Sequence, residues 1–394
     1  MRIKKHAMTS LGSCVVFFFF PACKKNPKWV EGSDVLAVAE QDVDYSLRLN
    51  DDPSVRPALP FAAGADYLDI RGVGDTAWSN LKAATPPVSG MAAALKKFDP
   101  TRSILKGDLN FVNWESAVGS KCNGYYNVDY AFLSSPVAIT EAFNHGFNLF
   151  GLANNHSEDC SKAEGPAGES TSGAISTQKN MKILSNGKQF LWHGVGPGAG
   201  FVSSPSLLTF TIKGRLVKVI FASVAFQNWD CVDSMCEANV QSLMNAMRDA
   251  QGDLRILSVH SQGSDAFLRG KNWAEKFIRE YSGNVVFASG PHTWAGVKVI
   301  PANAERTGVV FHGLGNFMHN QVAPNPDNLI GRVLLDIRTL KPKQVQVIPV
   351  LNNAYSVDVV LAGPSKGLPK ANVEWQRATV NAHVGVPLGF ANIK

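Results

Sequence analysis

Apolar runs that end in Asp, Asn, Glu or His recur along the middle of this 394-residue chain. Open α/β sheets collect such side chains along the carboxyl edge of their strands, so the pattern predicts a polar edge built from several strands. A single ending is weak evidence, since an Asp there is often a helix cap and a lone His is often structural. The endings are Gly74-Asp75 after residues 68–73, Asn113-Trp114-Glu115 after 109–112, Ala153-Asn154-Asn155-His156 after 147–152, His260 after 256–259, Pro291-His292 after 285–288, and Gly313-Leu314-Gly315-Asn316-Phe317 after 309–311.

Helix-like stretches alternate with these short β-prone runs, which favours an α/β architecture. After about residue 329 the pattern changes to β-rich runs, which form either a second sheet or strands that complete the first. The chain has no internal repeat of fixed period. We predict helices over 91–98, 139–145, 172–184 and 240–250, further buried strands over 216–224 and 254–259, and C-terminal strands over 332–337, 344–350 and 355–361.

Residues 1–22 have the pattern of an export signal. A cationic start precedes an apolar run over 11–20, which is too short for a membrane-spanning helix of about 20 apolar residues. A small residue directly before Cys23 resembles a bacterial lipobox, in which the cysteine is acylated. We therefore predict an exported, membrane-anchored lipoprotein that faces the periplasm or the cell exterior. The alternatives are ordinary cleavage near Ala22 and an uncleaved anchor.

The charge balance argues against a nucleic-acid-binding protein. Only 18% of the residues are charged and 45% are apolar, which excludes a disordered or highly charged tail. Residues 1–22 carry three of the 38 Lys and Arg and none of the 32 Asp and Glu, so the net charge without them is +3 rather than +6. Part of the positive charge therefore belongs to the targeting segment. We expect no nucleic-acid partner.

The cysteine count predicts two disulfides. Cys14 lies in the signal and Cys23 is the lipid candidate, which leaves four cysteines. An even number in an exported protein indicates disulfide pairing, and the absence of CxxC spacing argues against a zinc ribbon. We predict that the near neighbours Cys231 and Cys236 close a tight loop and that Cys122 pairs with Cys160.

The order of the strand-end motifs carries a family resemblance. They resemble the CapA family, the poly-γ-glutamate capsule synthesis proteins, which are related to the calcineurin-like metallophosphoesterases. The likeness extends from about Tyr67 to Phe317. The matching set is Gly74-Asp75, Asn113-Trp114-Glu115-Ser116, Ala153-Asn154-Asn155-His156 with Asp159, His260, Pro291-His292 and Gly313-Leu314-Gly315-Asn316-Phe317, of which the third and the last are the specific motifs.

The resemblance implies an α/β fold, namely a metallophosphoesterase-like four-layer α/β/β/α sandwich with a β-rich C-terminal extension. Residues 1–22 are then the signal peptide, and residues 23–62 are an irregular tether. Residues 63–330 form the CapA-type domain. Residues 331–394 are the β-rich part that completes or extends the sandwich.

The resemblance also implies a site for two divalent transition metal ions at the strand ends. Two ions about 4 Å apart can activate a bridging water and clamp the attacking and leaving oxygens. Mixed nitrogen and oxygen ligands suit manganese, iron or zinc, and do not choose among them. By this likeness Asp75 binds the first metal, Glu115 bridges, Asn155, His260 and His292 bind the second, His156 acts at the substrate as an acid or charge stabiliser, and Asp159 orients His156.

Two imidazoles of the family pattern are missing. Ala77 stands two residues after Asp75, where a histidine is common, and Gly290 stands two residues before His292, where another is common. His312, just before the glycine-rich turn, is either a substitute for one of them or an ordinary strand-end residue.

Two classes of function remain open. In the first, the protein is a metal-dependent hydrolase or transferase of capsule polymer biosynthesis that acts on phosphoester or amide groups. In the second, it is a catalytically degenerate accessory protein that binds or exports a surface polymer. The retained ligands favour the first class and the missing imidazoles favour the second. The expected partners are an anionic polymer or phosphoester substrate, the membrane through the N-terminal lipid, and the capsule synthesis machinery.

Overall fold

The computed structural model describes residues 64–102, 104–196, 202–227, 237–319, 325–353 and 356–359, and a strand pair at 45–46 and 377–378. The helices of these residues are α1 Met91–Phe98, α2 Pro136–His145, α3 Gly173–Ser185, α4 Glu237–Asp249 and α5 Ser264–Glu280. The strands are β1 Tyr45–Ser46, β2 Tyr67–Ala77, β3 Leu109–Trp114, β4 Ala117–Val118, β5 Leu133–Ser134, β6 Leu149–Gly151, β7 Ala163–Glu164, β8 Ser170–Thr171, β9 Leu191–His193, β10 Ser206–Ile212, β11 Arg215–Gln227, β12 Leu254–Gln262, β13 Val285–Ser289, β14 Val297–Pro301, β15 Thr307–Phe311, β16 Asn316–His319, β17 Asn325–Asp336, β18 Pro342–Asn353, β19 Ser356–Val359 and β20 Arg377–Ala378.

Local sequence explains how the helices begin and which face they bury. Helix α2 begins after Ser135, whose side chain accepts hydrogen bonds from two backbone amides of the first turn, the arrangement of an N-cap. Pro136 follows at the first helical position, where its missing N–H costs nothing. Helix α1 buries Met91, Leu95 and Phe98, whose spacing of four and three residues places them on one face.

The first sheet has β2 at its centre. Its order is β19-β18-β17-β2-β3-β6-β9. Strands β2, β3, β6 and β9 run parallel, so their carboxyl ends meet at one edge. The first part of β2 pairs with antiparallel β17, and its last residues pair with parallel β16 on the same side. Strands β17 to β19, which lie around and beyond the predicted boundary at residue 330, thus extend this sheet.

The second sheet has the order β10-β11-β12-β13-β15-β14. Its four inner strands, β11, β12, β13 and β15, are parallel. The two outer strands, β10 and β14, run antiparallel to their neighbours. The second sheet therefore also gathers several strand ends at one edge.

Three hydrophobic clusters define four layers. One lies between the sheets, where Phe111 of β3 stacks on Phe287 of β13 with ring centroids 5.0 Å apart. A second cluster packs helices α1, α2 and α3 on the first sheet, and a third packs α4 and α5 on the second. This order of layers confirms the predicted α/β/β/α sandwich. The division of the chain into four segments stays a prediction.

The predicted bridge between Cys122 and Cys160 is confirmed, with Cα atoms 5.8 Å apart. Several other predictions fall outside the described residues: the signal peptide over 1–22, the lipid anchor at Cys23, most of the tether over 23–62, and the bridge between Cys231 and Cys236. None of the described helices combines the length and the apolar character that crossing a membrane requires.

Candidate metal centre

Two buried carboxylates lie side by side at the carboxyl edge of the first sheet. Asp75 is near the end of β2, and Glu115 directly follows β3. The backbone N–H of Glu115 donates to the carbonyl of Thr76 at 2.8 Å, which continues the pairing of the two strands beyond β3. Both carboxylates have no exposed surface. Parallel pairing therefore brings together two acidic groups that are 40 positions apart in the sequence.

A close backbone approach places the glycine-rich turn against β2. A Cβ at Gly74 would lie 1.8 Å from the carbonyl oxygen of Gly315, so only glycine fits there. The backbone N–H of Asp75 donates to the same carbonyl at 2.9 Å. As a result Asn316, the first residue of β16, stands opposite Asp75 in the strand register.

His260 links the second sheet to these carboxylates. It lies near the end of β12, fully buried, with Nδ1 3.6 Å from Asp75 Oδ1 and Nε2 3.6 Å from Glu115 Oε1. Its Nε2 is also 2.7 Å from Asn155 Oδ1. One ligand atom each from Asp75, Glu115 and His260 fall within 4.8 Å of one another. Four of the five predicted metal ligands, Asp75, Glu115, Asn155 and His260, thus lie in one cluster.

His292 joins the cluster from the loop after β13. Its Nδ1 lies 3.0 Å from Asp75 Oδ2 and 2.8 Å from Asn316 Oδ1. Its backbone φ of 58° is in the left-handed region, which a residue other than glycine adopts at a cost of about 1–3 kcal/mol. Such strain is often found where a side chain must be held at a functional site. His292 therefore lies on the Asp75 side of the cluster, whereas His260 contacts Asn155.

The structure explains why Gly290 carries no imidazole. A Cβ at this position would lie 2.2 Å from the carbonyl oxygen of Ser261, so a side chain has no room. The backbone N–H of Gly290 instead donates to Asp75 Oδ2 at 3.1 Å. His312 lies with its Nε2 3.5 Å from Glu275 Oε1 of helix α5, an arrangement that suits an ordinary strand-end residue.

Two further side chains lie at the cluster: Asn113, to which the sequence analysis assigned no role, and His319, which it missed. The Nδ2 of Asn113 donates to Asp75 Oδ1 at 2.8 Å and lies 3.2 Å from His260 Nδ1. His319, the last residue of β16, places its Nε2 3.4 Å from Glu115 Oε2 and stands opposite Ala77 in the strand register. A signal for His319 was present, since it ends the short apolar run Phe317-Met318 as the other candidates end theirs.

His156 and Asp159 form a pair beside the cluster. Their Nδ1 and Oδ2 atoms are 2.7 Å apart, and Asp159 Oδ2 also accepts from the backbone N–H of Phe132 at 2.6 Å. The Phe132 ring contacts both His156 and His319, with centroid distances of 4.6 and 5.2 Å. Asp159 therefore occupies Nδ1 of His156 and leaves Nε2 as the nitrogen that can meet a substrate.

The electrostatics of the two carboxylates differ. Burial alone would raise the pKa of Asp75, but the imidazoles of His260 and His292 hold it well below its usual range. Burial, together with the charges of Asp75 and Asp159, raises the pKa of Glu115 well above its usual range. Burial also lowers the pKa of His260, although Asp75 opposes the shift, which favours the neutral imidazole that binds metals.

The donor set fits a divalent transition metal. Among the described residues, neither carboxylate oxygen of Glu115 has a hydrogen-bond partner, although the side chain is fully buried. Buried polar atoms are nearly always paired, and an unpaired carboxylate is especially costly. A cation at Glu115 removes that cost. Carboxylate, amide and imidazole ligands suit such an ion, and the residues that would hold it are Asp75, Glu115, Asn155, His260 and His292.

Comparison with known families decides the relationship of the chain. The family model of the bacterial capsule synthesis protein PGA_cap matches residues 70–321, well over half of the chain. The chain belongs to this family. The PGA_cap match covers every ligand candidate above and confirms the resemblance to CapA proteins. Membership of the PGA_cap family indicates a function related to capsule synthesis.

Other comparisons are more distant. No curated protein matches the chain. A crystal structure of a phosphatase from Mycoplasma pneumoniae has 11% identity and a TM-score of 0.44, covering 73% of this chain and 95% of that chain. The structure of a hypothetical protein from Thermus thermophilus has 12% identity and a TM-score of 0.40, covering 74% and 99%. The fold of this PGA_cap protein is therefore described from its own sheet order and layers.

Proposed function

We propose that the protein is an exported, lipid-anchored, metal-dependent hydrolase or transferase that acts on phosphoester or amide groups during the synthesis of a capsule polymer. The observation that carries the proposal is the carboxylate of Glu115. It is fully buried, and within the described part of the chain its oxygens have no hydrogen-bond partner. The imidazole of His260 and the carboxylate of Asp75 surround it. A carboxylate held in this way is suited to bind cations.

The ligand residues are held in place by hydrogen bonds from neighbouring amide side chains. Asn113 donates to Asp75 Oδ1 and orients this carboxylate. Asn154 donates to the carbonyl of Trp114 at 2.8 Å and accepts from the backbone N–H of His156 at 3.0 Å, which fixes the loop beside Glu115. Such outer contacts orient ligands and tune their basicity.

The chemistry divides between the cluster and the pair beside it. Divalent cations, when bound, supply Lewis acidity toward a phosphoryl or carbonyl oxygen and an activated water. His156 is placed to donate a proton from Nε2 to the leaving oxygen or nitrogen, because its Nδ1 is engaged by Asp159. The buried Asp159 fixes the orientation of the imidazole.

The biological setting is supported by the family and by the N-terminal sequence. PGA_cap membership supports a role in capsule synthesis. The cationic and apolar pattern of residues 1–22 and the small residue before Cys23 support export and lipid anchoring. An anionic surface polymer or a phosphoester is the proposed substrate, with the capsule synthesis machinery as partner.

The proposal is tested by metal content and hydrolysis. The purified protein, expressed with manganese, iron and zinc supplied, is expected to retain stoichiometric transition metal and to hydrolyse p-nitrophenyl phosphate, bis(p-nitrophenyl) phosphate or γ-glutamyl-p-nitroanilide. A Glu115→Ala, His260→Ala double variant is expected to lose both properties, while the control His312→Ala keeps them.

The outcomes separate the two classes of function. Absence of transition metal in the parent protein would remove the metal-dependent proposal. Bound metal without turnover of any of the three compounds, together with binding of a surface polymer, would favour the accessory role that the missing imidazoles at Ala77 and Gly290 suggest.

A further inference from the structure

His319 is a buried imidazole next to Glu115. Its side chain is almost fully enclosed, and neither ring nitrogen has a hydrogen-bond partner among the described residues. Both ring nitrogens are thus buried without a partner in the part of the chain that the structure describes, which is unusual for polar atoms.

A structural histidine in the same protein has a different environment. His193 is equally buried, but its Nδ1 accepts from the backbone N–H of Ser223 at 3.0 Å and its Nε2 lies 3.1 Å from the carbonyl of Ser204. Both nitrogens of His193 are thus used within the fold, as is normal for buried polar groups. The Nε2 of His319 lies instead 3.4 Å from Glu115 Oε2, which is itself without a hydrogen-bond partner among the described residues.

The two oxygens of Glu115 face different imidazoles. Oε1 lies 3.6 Å from His260 Nε2, and Oε2 lies 3.4 Å from His319 Nε2. The ring of His292 lies next to that of His319, with centroids 5.5 Å apart. A carboxylate with an imidazole at each oxygen offers two neighbouring positions for cations, one on each side.

The C-terminal strands hold His319 at this position. Asn352 of β18, fully buried, accepts from the backbone N–H of His319 at 3.0 Å and donates to its carbonyl at 3.2 Å. Asn328 of β17 accepts from the backbone N–H of Asn316 at 2.6 Å. Two buried amides thus fix both ends of the short strand β16. Both lie beyond residue 321, where the family match ends.

We propose that His319 is a metal ligand that shares one cation with Glu115 Oε2, while His260 serves the cation at Glu115 Oε1, and that Asn352 is the residue that positions His319. The proposal rests on the metal-dependent function proposed above. The proposed ligand stands opposite Ala77, whose side chain cannot bind a metal ion. The C-terminal strand β18, through Asn352, then has a role in the metal site.

The test is a titration of the metal-free protein with Co²⁺ or Mn²⁺, followed by calorimetry, bound-metal analysis and, for Co²⁺, the visible absorption spectrum. The parent is expected to bind two equivalents. In His319→Phe one equivalent is expected to bind at least about 100-fold more weakly, because even outer-shell changes cost about 10–100-fold in metal affinity. The spectrum should lose the contribution of one nitrogen ligand. The control variant His312→Phe should bind both equivalents as the parent does.

Thermal unfolding of the metal-free proteins separates a ligand from a structural residue. Because the His319 ring has no hydrogen bond to lose among the described residues, His319→Phe is expected to unfold at the same or a higher temperature than the parent. If His319→Phe does not fold, His319→Gln provides the same comparison with a smaller side chain. A lower unfolding temperature with unchanged metal affinity in the folded variant would overturn the proposal.

Asn352→Ala tests the positioning role. We expect the metal equivalent that is weakened in His319→Phe to bind about 10–100-fold more weakly in Asn352→Ala as well. The Co²⁺ spectrum of Asn352→Ala should keep the contribution of the histidine nitrogen. If His319→Phe binds two metal equivalents with the affinities of the parent, this inference alone is overturned. A parent protein that binds no metal would overturn the proposed function as well.

Discussion

Strand β2 carries two buried aspartates, six positions apart, whose carboxylates have different kinds of partner. Asp69 is fully paired: its two oxygens accept from the guanidinium groups of Arg71 and Arg332. Asp75, at the other end of the strand, is packed among imidazoles and beside Glu115, whose oxygens have no hydrogen-bond partner in the described residues. The contrast teaches that burial of charge alone does not indicate a site. What distinguishes Glu115 is that both oxygens of its buried carboxyl group lack a hydrogen-bond partner among the described residues.

The cluster around Asp69 joins three neighbouring strands. Strand β17 lies between β2 and β18. Its residue Arg332 pairs with Arg71 of β2 on one side and with Gln346 of β18 on the other. Its Nη1 donates to Gln346 Oε1 at 2.7 Å, and Arg71 donates to the carbonyl of Ile104 at 2.7 Å. This row ties the C-terminal strands to the sheet. The oxygens of Glu115, in contrast, have no hydrogen-bond partner among the described residues.

The pKa directions agree with this contrast. Burial would raise the pKa of Asp69, but the two arginines hold it below its usual range. Burial, Asp75 and Asp159 raise the pKa of Glu115. Pairing by arginine thus compensates the desolvation of Asp69, whereas the negative charges of Asp75 and Asp159 add to the cost of burying a charged Glu115.

Breaking the paired cluster is expected to give the largest effect. Asp69→Asn leaves two buried guanidinium groups without a counter-charge, so we expect the free energy of unfolding to fall by about 3–5 kcal/mol. Chemical denaturation followed by circular dichroism measures it. Glu305→Gln, which removes an exposed ion pair with Lys341, is the control and should be close to neutral. An unchanged denaturation midpoint for Asp69→Asn would contradict the structural role of this cluster.

Removing the disulfide between Cys122 and Cys160 is expected to have the next largest effect on stability. This bridge lies next to the candidate metal centre. The bridge joins the loop after Glu115 to the loop of Asn155 and His156. A Cys122→Ser, Cys160→Ser double variant is expected to lose about 2–4 kcal/mol, because the bridge closes a loop of 38 residues. Metal affinity should weaken with it, as measured by titration. Lower stability with unchanged metal affinity would show that the bridge does not support the site.

The smallest effect on stability is expected at Glu115. Glu115→Gln replaces a carboxylate by an amide, as Asp69→Asn does. The metal-free variant at pH 8 should be as stable as the parent or more stable by about 1 kcal/mol. Metal binding should be lost. Because the folded pKa of Glu115 is raised, the folded state holds its proton longer than the unfolded state does. The parent therefore loses stability as pH rises above the usual glutamate range.

The variant should lack that contribution to the pH dependence. Denaturation curves of the metal-free parent and of Glu115→Gln from pH 4 to pH 8 measure the difference. A loss of several kcal/mol in Glu115→Gln, as large as in Asp69→Asn, would mean that both clusters are structural and would remove the distinction drawn between them.

Much of the site could be predicted because one rule covers it. Parallel strands end at a common edge, so an Asp, Asn or His that closes an apolar run is placed near the others. That rule located Asp75, Glu115, Asn155, His260 and His292. The rule does not find His319, because the sequence shows this segment as a glycine-rich motif and not as a strand with its own end. Without His319, the sequence shows only that two imidazoles of the family pattern are absent.

The paired cluster could not be predicted. Asp69 and Arg332 are separated by 263 positions, and nothing in either local sequence indicates the partner. Whether a carboxylate is paired depends on the register between β2 and β17, which the packing of the whole sheet decides. The same holds for Asn352, whose contact with His319 depends on where β18 lies.

By itself the sequence determined the alternation of strands and helices, the gathering of ligands at strand ends, the pairing of Cys122 with Cys160 and the family, because these follow from local patterns and from motif order. Only the tertiary structure decided which buried charges are satisfied and that His319 reaches Glu115. Satisfaction of a polar atom depends on the distance and direction to a partner in three dimensions, and strand register sets both.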